Sequence, residues 1–201
     1  ASAVRSFAQG LWMTAFAIPL FILCIPLGNL IIDLAGHAPA VKAAERSYLL
    51  IAAPGSILTV LNAVLAGVLT GQGRTRYASF SLICGCVVNL LLDPIFIFGH
   101  LGFSALGIRG AALATVCSFT VSMILLAHRA FRNPLVREAG REAFRLNLPR
   151  LLTILRFGTP AGLCAVISSA SFLVFTMSVG KLDGLSFAAS NTVFAVNNVF
   201  F

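Results

Sequence analysis

Acidic residues are nearly absent from this chain: six among 201, against 14 lysines and arginines. Charged residues of both signs make up only 10% of it, where a water-soluble domain carries about 25%. With 59% hydrophobic residues and a mean hydropathy of +0.98, a soluble globule is excluded. Strict polar–apolar alternation is also missing, and the apolar runs far exceed the roughly 10-residue strands of a membrane barrel, which leaves helices. Metal-ligand clusters are absent too. Cys24, Cys84, Cys86, Cys117 and Cys164 all fall within apolar runs, without the short His or carboxylate spacings of a metal site, and are expected to be small buried hydrophobes. His37, His100 and His128 stand near the ends of such runs, where histidine is cheap to place.

What remains is a series of apolar runs, each near the roughly 20 residues a spanning helix needs. They cover about 11–35, 48–69, 78–98, 107–128 and 151–179, with a sixth beginning near 185. Backbone groups in lipid must be satisfied within the segment, so each run is predicted to be a transmembrane helix. The fold class is all-α, a polytopic helical protein of the lipid bilayer. The first run is about twice the length of a signal-peptide core. The chain starts without Met and stops at "VNNVFF" with no polar tail, and it reads as an internal piece of a larger membrane protein.

The net charge of +8 does not signal nucleic acid, because the basic residues sit between the apolar runs. Arg5, Arg74 and Arg76, and then Arg129, Arg132, Arg137, Arg141, Arg145 and Arg150, fall on one side if the spans alternate. Only Lys42, Arg46, Arg109 and Lys181 fall on the other. The positive-inside rule makes the arginine-rich side cytoplasmic, in a cell (inner) membrane, along with the first residues of the chain.

The connector at 129–150 is the one long link. Leu135, Val136, Ala139, Ala143, Phe144 and Leu146 form an apolar stripe at helical spacing among arginines, as in an amphipathic helix lying on the inner membrane surface. This places a lobe boundary there: 1–128 in one lobe with four transmembrane helices, 129–150 as cytoplasmic connector, and 151–201 opening a second lobe.

One acid lies well inside a span. In "NLLLDPIFIFG" Asp93 sits between leucines and isoleucines, at a cost of about 2.5 kcal/mol or more. Asn89, four residues earlier, shares its helix face. Pro94 has no N–H, so the carbonyl of Leu90 lacks its helical partner. A carboxylate, an amide oxygen and a free carbonyl thus gather within about one turn. Such oxygens suit sodium, and a proton needs only the carboxylate. A site that can trade one for the other is the physical basis of a coupled pump. Gly107, Gly110, Ala111, Ala112 and Ala114 open the next span, and small residues there would bring Thr115 near the Asp93 helix. Thr115 is either a cation ligand or a hydroxyl bonded back to its own helix. Asn62 and Ser168 are further candidates for lining a pocket.

These residues carry a resemblance. "NLLLDPIFIFGHLGFSALGIRGAALATV" resembles the fifth and sixth helices of the multidrug and toxic compound extrusion (MATE) transporters. "LTGQGRTRYASF" and "LRFGTPAGLCAVISSASFLVFTMSVGKLDGLSFAASN" resemble that family's fourth-to-fifth turn and its seventh and eighth helices. On this mapping the chain holds helices three to seven and the start of helix eight. The resemblance implies twelve helices in two lobes, alternating access, and export of cationic amphipathic drugs driven by sodium or protons, with no cofactor and a monomeric full-length protein. Asn89 and Asp93 match the family's fifth-helix cation residues, and Thr115 its sixth-helix threonine. Ser168 stands where some members carry a glutamate, which argues against that subgroup's coupling site.

Two other functions compete. A flippase for lipid-linked saccharides shares the wider architecture but often lines its cavity with cationic residues, whereas these spans hold only Arg109 and Arg156 near their ends. An intramembrane enzyme pairing Asp93 with His100 lacks a second carboxylate. An inactive truncated fragment is the remaining alternative.

Overall fold

The structure, a computed structural model, describes residues 2–34, 38–137, 144–180 and 194. Six helices account for nearly all of them: α1 (Ser2–Leu34), α2 (Pro39–Thr70), α3 (Thr75–Phe98), α4 (Ile108–Phe131), α5 (Pro134–Arg137) and α6 (Leu148–Gly180). Five are long and apolar enough to cross a membrane. The sixth span expected near 185 lies outside the described residues apart from Phe194.

Each helix extends past its apolar run, because hydropathy marks only the part that lipid must solvate. Pro39 opens α2 in the first helical turn, where a missing N–H costs nothing. Gly99 ends α3 in the left-handed conformation (φ 77°), its N–H donating to the Ile95 carbonyl. The returning loop then hooks onto the exposed end of α3, with Leu106 N–H on the Phe96 carbonyl at 3.0 Å and Gly107 N–H on Ile97 at 3.2 Å. Pro19, Pro26, Pro54, Pro94 and Pro160 all lie inside helices without ending them.

The chain divides into two compact units, Ala1–Leu151 and Leu152–Phe201. In the first, α4 is the central helix, packed against α2 and α3, while α1 packs on α2. Small residues allow these approaches: the Cβ-less Gly110 meets the Phe96 backbone, and Gly85 lies against Ser118 and Ser122. The deepest apolar cluster is gathered at one end, from Val4, Phe7, Leu65, Val68, Leu69, Leu126, Ala130 and Val136. That is also the end that carries Arg129, stacked on the Tyr77 ring and bonded to its hydroxyl, and an Asn133–Gln72 amide pair. At the opposite end Asp33 pairs with Arg46 and accepts Lys42 on its carbonyl, and Arg109 donates to Ser47. Along α1, Leu20, Leu23, Leu27 and Leu34 are all exposed, an apolar surface of the kind lipid or further helices cover.

The connector expected as a surface helix is described only at its two ends. Helix α4 runs on to Phe131, α5 is described over Pro134–Arg137, and residues 138–143 lie outside the described residues. Val136 is buried in the core cluster, and Phe144 packs against it. These two apolar side chains pack on residues from the ends of α1, α2 and α4. Among the described residues the second unit holds α6 from Leu152 onward and Phe194, whose ring meets Phe172 and Phe175 edge-on.

Candidate cation site and its surroundings

Asn89 and Asp93 lie one turn apart on α3, both half-buried. Two backbone contacts bracket them: Gly85 against Ser118 below and Phe96 against Gly110 above. The helices run antiparallel between these points, so residues 85–96 of α3 face residues 110–118 of α4. Thr115 falls in that interval of α4.

Asp93 forms no hydrogen bond or ion pair among the described residues, and no basic side chain neutralises it. The Asn89 side-chain nitrogen is buried and also without a partner. Exchanging the two ends of an amide by a half-turn presents oxygen in place of nitrogen, so this position can offer either group. Pro94 lies within the continuous α3 and cannot donate to the Leu90 carbonyl. An unpaired carboxylate, an unsatisfied amide and a helical carbonyl without its donor therefore occupy one turn. Buried polar groups are normally satisfied, so such a concentration points to a ligand of the cation or proton class.

Thr115 does not join them through a bond. Its hydroxyl donates to the Ala111 carbonyl at 3.0 Å, and it lines a cleft of about 140 Å³ with Tyr48, Ala52, Gly55 and Ser56 of α2. The small residues do bring α4 against α3, but Thr115 lines the side of α4 that faces α2. Asn62 is committed as well: its side-chain N–H groups donate to Leu58 at 2.8 Å and across to the Phe119 carbonyl of α4 at 3.0 Å. It also lines a groove between α2, α3 and α4 with Ser79 and Ser122, where its own side-chain oxygen is buried and unpaired. Ser168 is exposed on α6, in the other unit. His100 is exposed and its ring meets Phe98.

All five cysteines are free thiols, but Cys24, Cys86 and Cys164 are exposed on their helices and only Cys84 and Cys117 are partly covered. The expected burial is corrected accordingly: hydropathy placed them in spans but could not say which face they occupy. No group of three or more potential metal ligands occurs among the described residues.

Comparison with known proteins agrees with this arrangement. The MatE family model matches residues 2–95, through the Asn89–Asp93 turn. Over that stretch the chain is similar to the MATE family. Among its relatives is the probable multidrug resistance protein NorM of Agrobacterium fabrum, 27% identical over 205 residues, covering 100% of this chain and 43% of the relative. The protein of the same name from Thermotoga maritima is 29% identical over 182 residues, covering 86% and 38%. The chain thus spans about two fifths of the length of these curated relatives. The fold matches a solved structure described as an inward-facing multidrug resistance MATE family transporter of the MOP superfamily. That match has a TM-score of 0.78 and 20% identity, over 96% of this chain and 51% of the other. MATE proteins are transporters, not enzymes.

Proposed function

We propose that this chain belongs to the MATE family and forms part of a cation-coupled antiporter that exports cationic amphipathic compounds by alternating access, with sodium or a proton as coupling ion. The observation that carries the reading is Asp93, half-buried within an apolar helix and unpaired, beside the unsatisfied amide of Asn89. Binding an ion there neutralises the carboxylate and allows the α3–α4 seam to close around it. Release leaves the charge uncompensated and favours an arrangement that admits water or a cationic substrate. Occupancy then decides to which side the cavity opens, the condition for exchange. Thr115 completes the ion shell only if its hydroxyl oxygen keeps a lone pair free while it donates to Ala111, which a hydroxyl can do.

The arginine-rich end of the first unit is cytoplasmic in this reading, the membrane is the inner one, and the full-length protein acts as a monomer on small cationic substrates. The names of the NorM relatives support the substrate class. The test is Asp93→Asn in the full-length protein, with dye efflux measured under an imposed sodium or proton gradient. Loss of gradient-dependent efflux is expected, and efflux with unchanged gradient dependence would reject the role of Asp93.

A further inference from the structure

The most deeply buried polar side chain among the described residues is not in the ion site. Gln9 is 1% exposed, near the start of α1, and both ends of its amide are used. Its nitrogen donates to the Arg145 carbonyl at 2.9 Å, and its oxygen accepts the Asn147 N–H at 2.9 Å. One turn on, the indole N–H of Trp12 donates to the Phe144 carbonyl at 2.9 Å. Helix α1 therefore makes three hydrogen bonds to the backbone of a four-residue stretch 132 to 138 positions away in sequence.

That stretch leads directly into α6. The Asn147 side-chain oxygen accepts the Arg150 N–H at 3.1 Å, the contact of a helix N-cap, and the Asn147 carbonyl accepts Leu151 N–H at 2.9 Å. Phe144 packs on the core cluster just before it. Because the three α1 contacts go to backbone atoms, they fix where the chain runs and in which register, whatever side chains it carries. Water cannot reach Gln9 to replace its partners, so the contacts cannot be given up cheaply.

We propose that Gln9 is a positioning residue that holds segment 144–151, and with it the first turn of α6, as a part of the first unit throughout the transport cycle. The strap is clamped, and any rearrangement of the chain during export is absorbed outside it. The functional half of this proposal rests on the transport reading above; the clamp itself does not.

The experiment is hydrogen–deuterium exchange together with dye efflux in the full-length protein reconstituted in lipid. Gln9→Met keeps the volume but removes both bonds. The amides of Asn147 and Arg150 are expected to exchange about tenfold faster, the equivalent of roughly one hydrogen bond. Efflux should slow severalfold with the dye affinity unchanged. Gln9→Glu keeps an acceptor for Asn147 but turns an acceptor oxygen onto the Arg145 carbonyl in place of the donor, so it should restore protection at Asn147 less than fully and should not restore the rate. Trp12→Phe, at the partly exposed edge of the clamp, should shift both readouts in the same direction by less, and carries the test if Gln9→Met does not fold. Unchanged exchange in Gln9→Met and Trp12→Phe would overturn the clamp. Faster exchange with wild-type efflux would overturn the positioning role. A wild-type protein without coupled efflux would reject the transport reading instead and leave the exchange result to decide the clamp.

Discussion

Asp93 was readable in the sequence because a lone carboxylate between leucines and isoleucines is anomalous on any transfer scale, and Asn89 because four residues place it on the same face. Thr115 was only half readable. Its level along the seam follows from helix spacing, but its direction depends on how α4 divides its surface between α2 and α3, which no single-helix pattern contains. Packing at the residue scale decides the next outcome. A methyl at Gly110 would collide with the Phe96 carbonyl oxygen, a backbone atom that cannot step aside, whereas one at Gly55 would meet only a Val116 methyl at 2.6 Å, which can rotate. Gly110→Ala should therefore lower the thermal midpoint in detergent markedly, by the equivalent of about 2–3 kcal/mol, and Gly55→Ala by clearly less. Equal losses in the two variants would show that the α3–α4 seam is not packed as described.

At the scale of elements, the five described spans were legible from hydropathy alone, and their true ends were not, since polar turns such as Thr75–Ala78 continue the helix without being apolar. The connector was less legible, and its middle, residues 138–143, lies outside the described residues. Its apolar stripe reads equally well as a surface helix or as a strap, and only the core formed by Val4, Phe7, Leu69 and Leu126 decides for burial of Val136 and Phe144. Gln9, a lone amide next to an apolar run, was the available signal for that clamp. Within α3, Pro94 separates stability from function. Pro94→Ala restores a donor to the Leu90 carbonyl, so the helix should be at least as stable, with an unchanged or raised thermal midpoint. The same change withdraws that carbonyl from the ion site, and gradient-coupled efflux should fall. A variant that loses stability while keeping full coupling would contradict the use assigned to this carbonyl.

For the whole molecule, charge asymmetry predicts topology. In a cysteine-free background, Arg132→Cys should react with an impermeant maleimide only from the cytoplasmic side and Leu101→Cys only from the outside, both positions being exposed at opposite ends of α4 and α3. Labelling of both from one side would remove the inside-positive orientation. The resemblance to the MATE family was legible in the motif around Asn89 and Asp93, but the pocket for substrate was not, because the residues near Asn62 and Thr115 are shared with ordinary helix packing. What the account depends on is that one carboxylate exchanges its ion for the passage of a substrate. The most direct measurement is ion counterflow in vesicles holding the full-length protein, with an outward dye gradient imposed and no ion gradient at the start. The account predicts that the dye gradient drives sodium or protons the opposite way in the wild type, and that Asp93→Asn abolishes this counterflow while dye still binds. Equal counterflow in both proteins would contradict it.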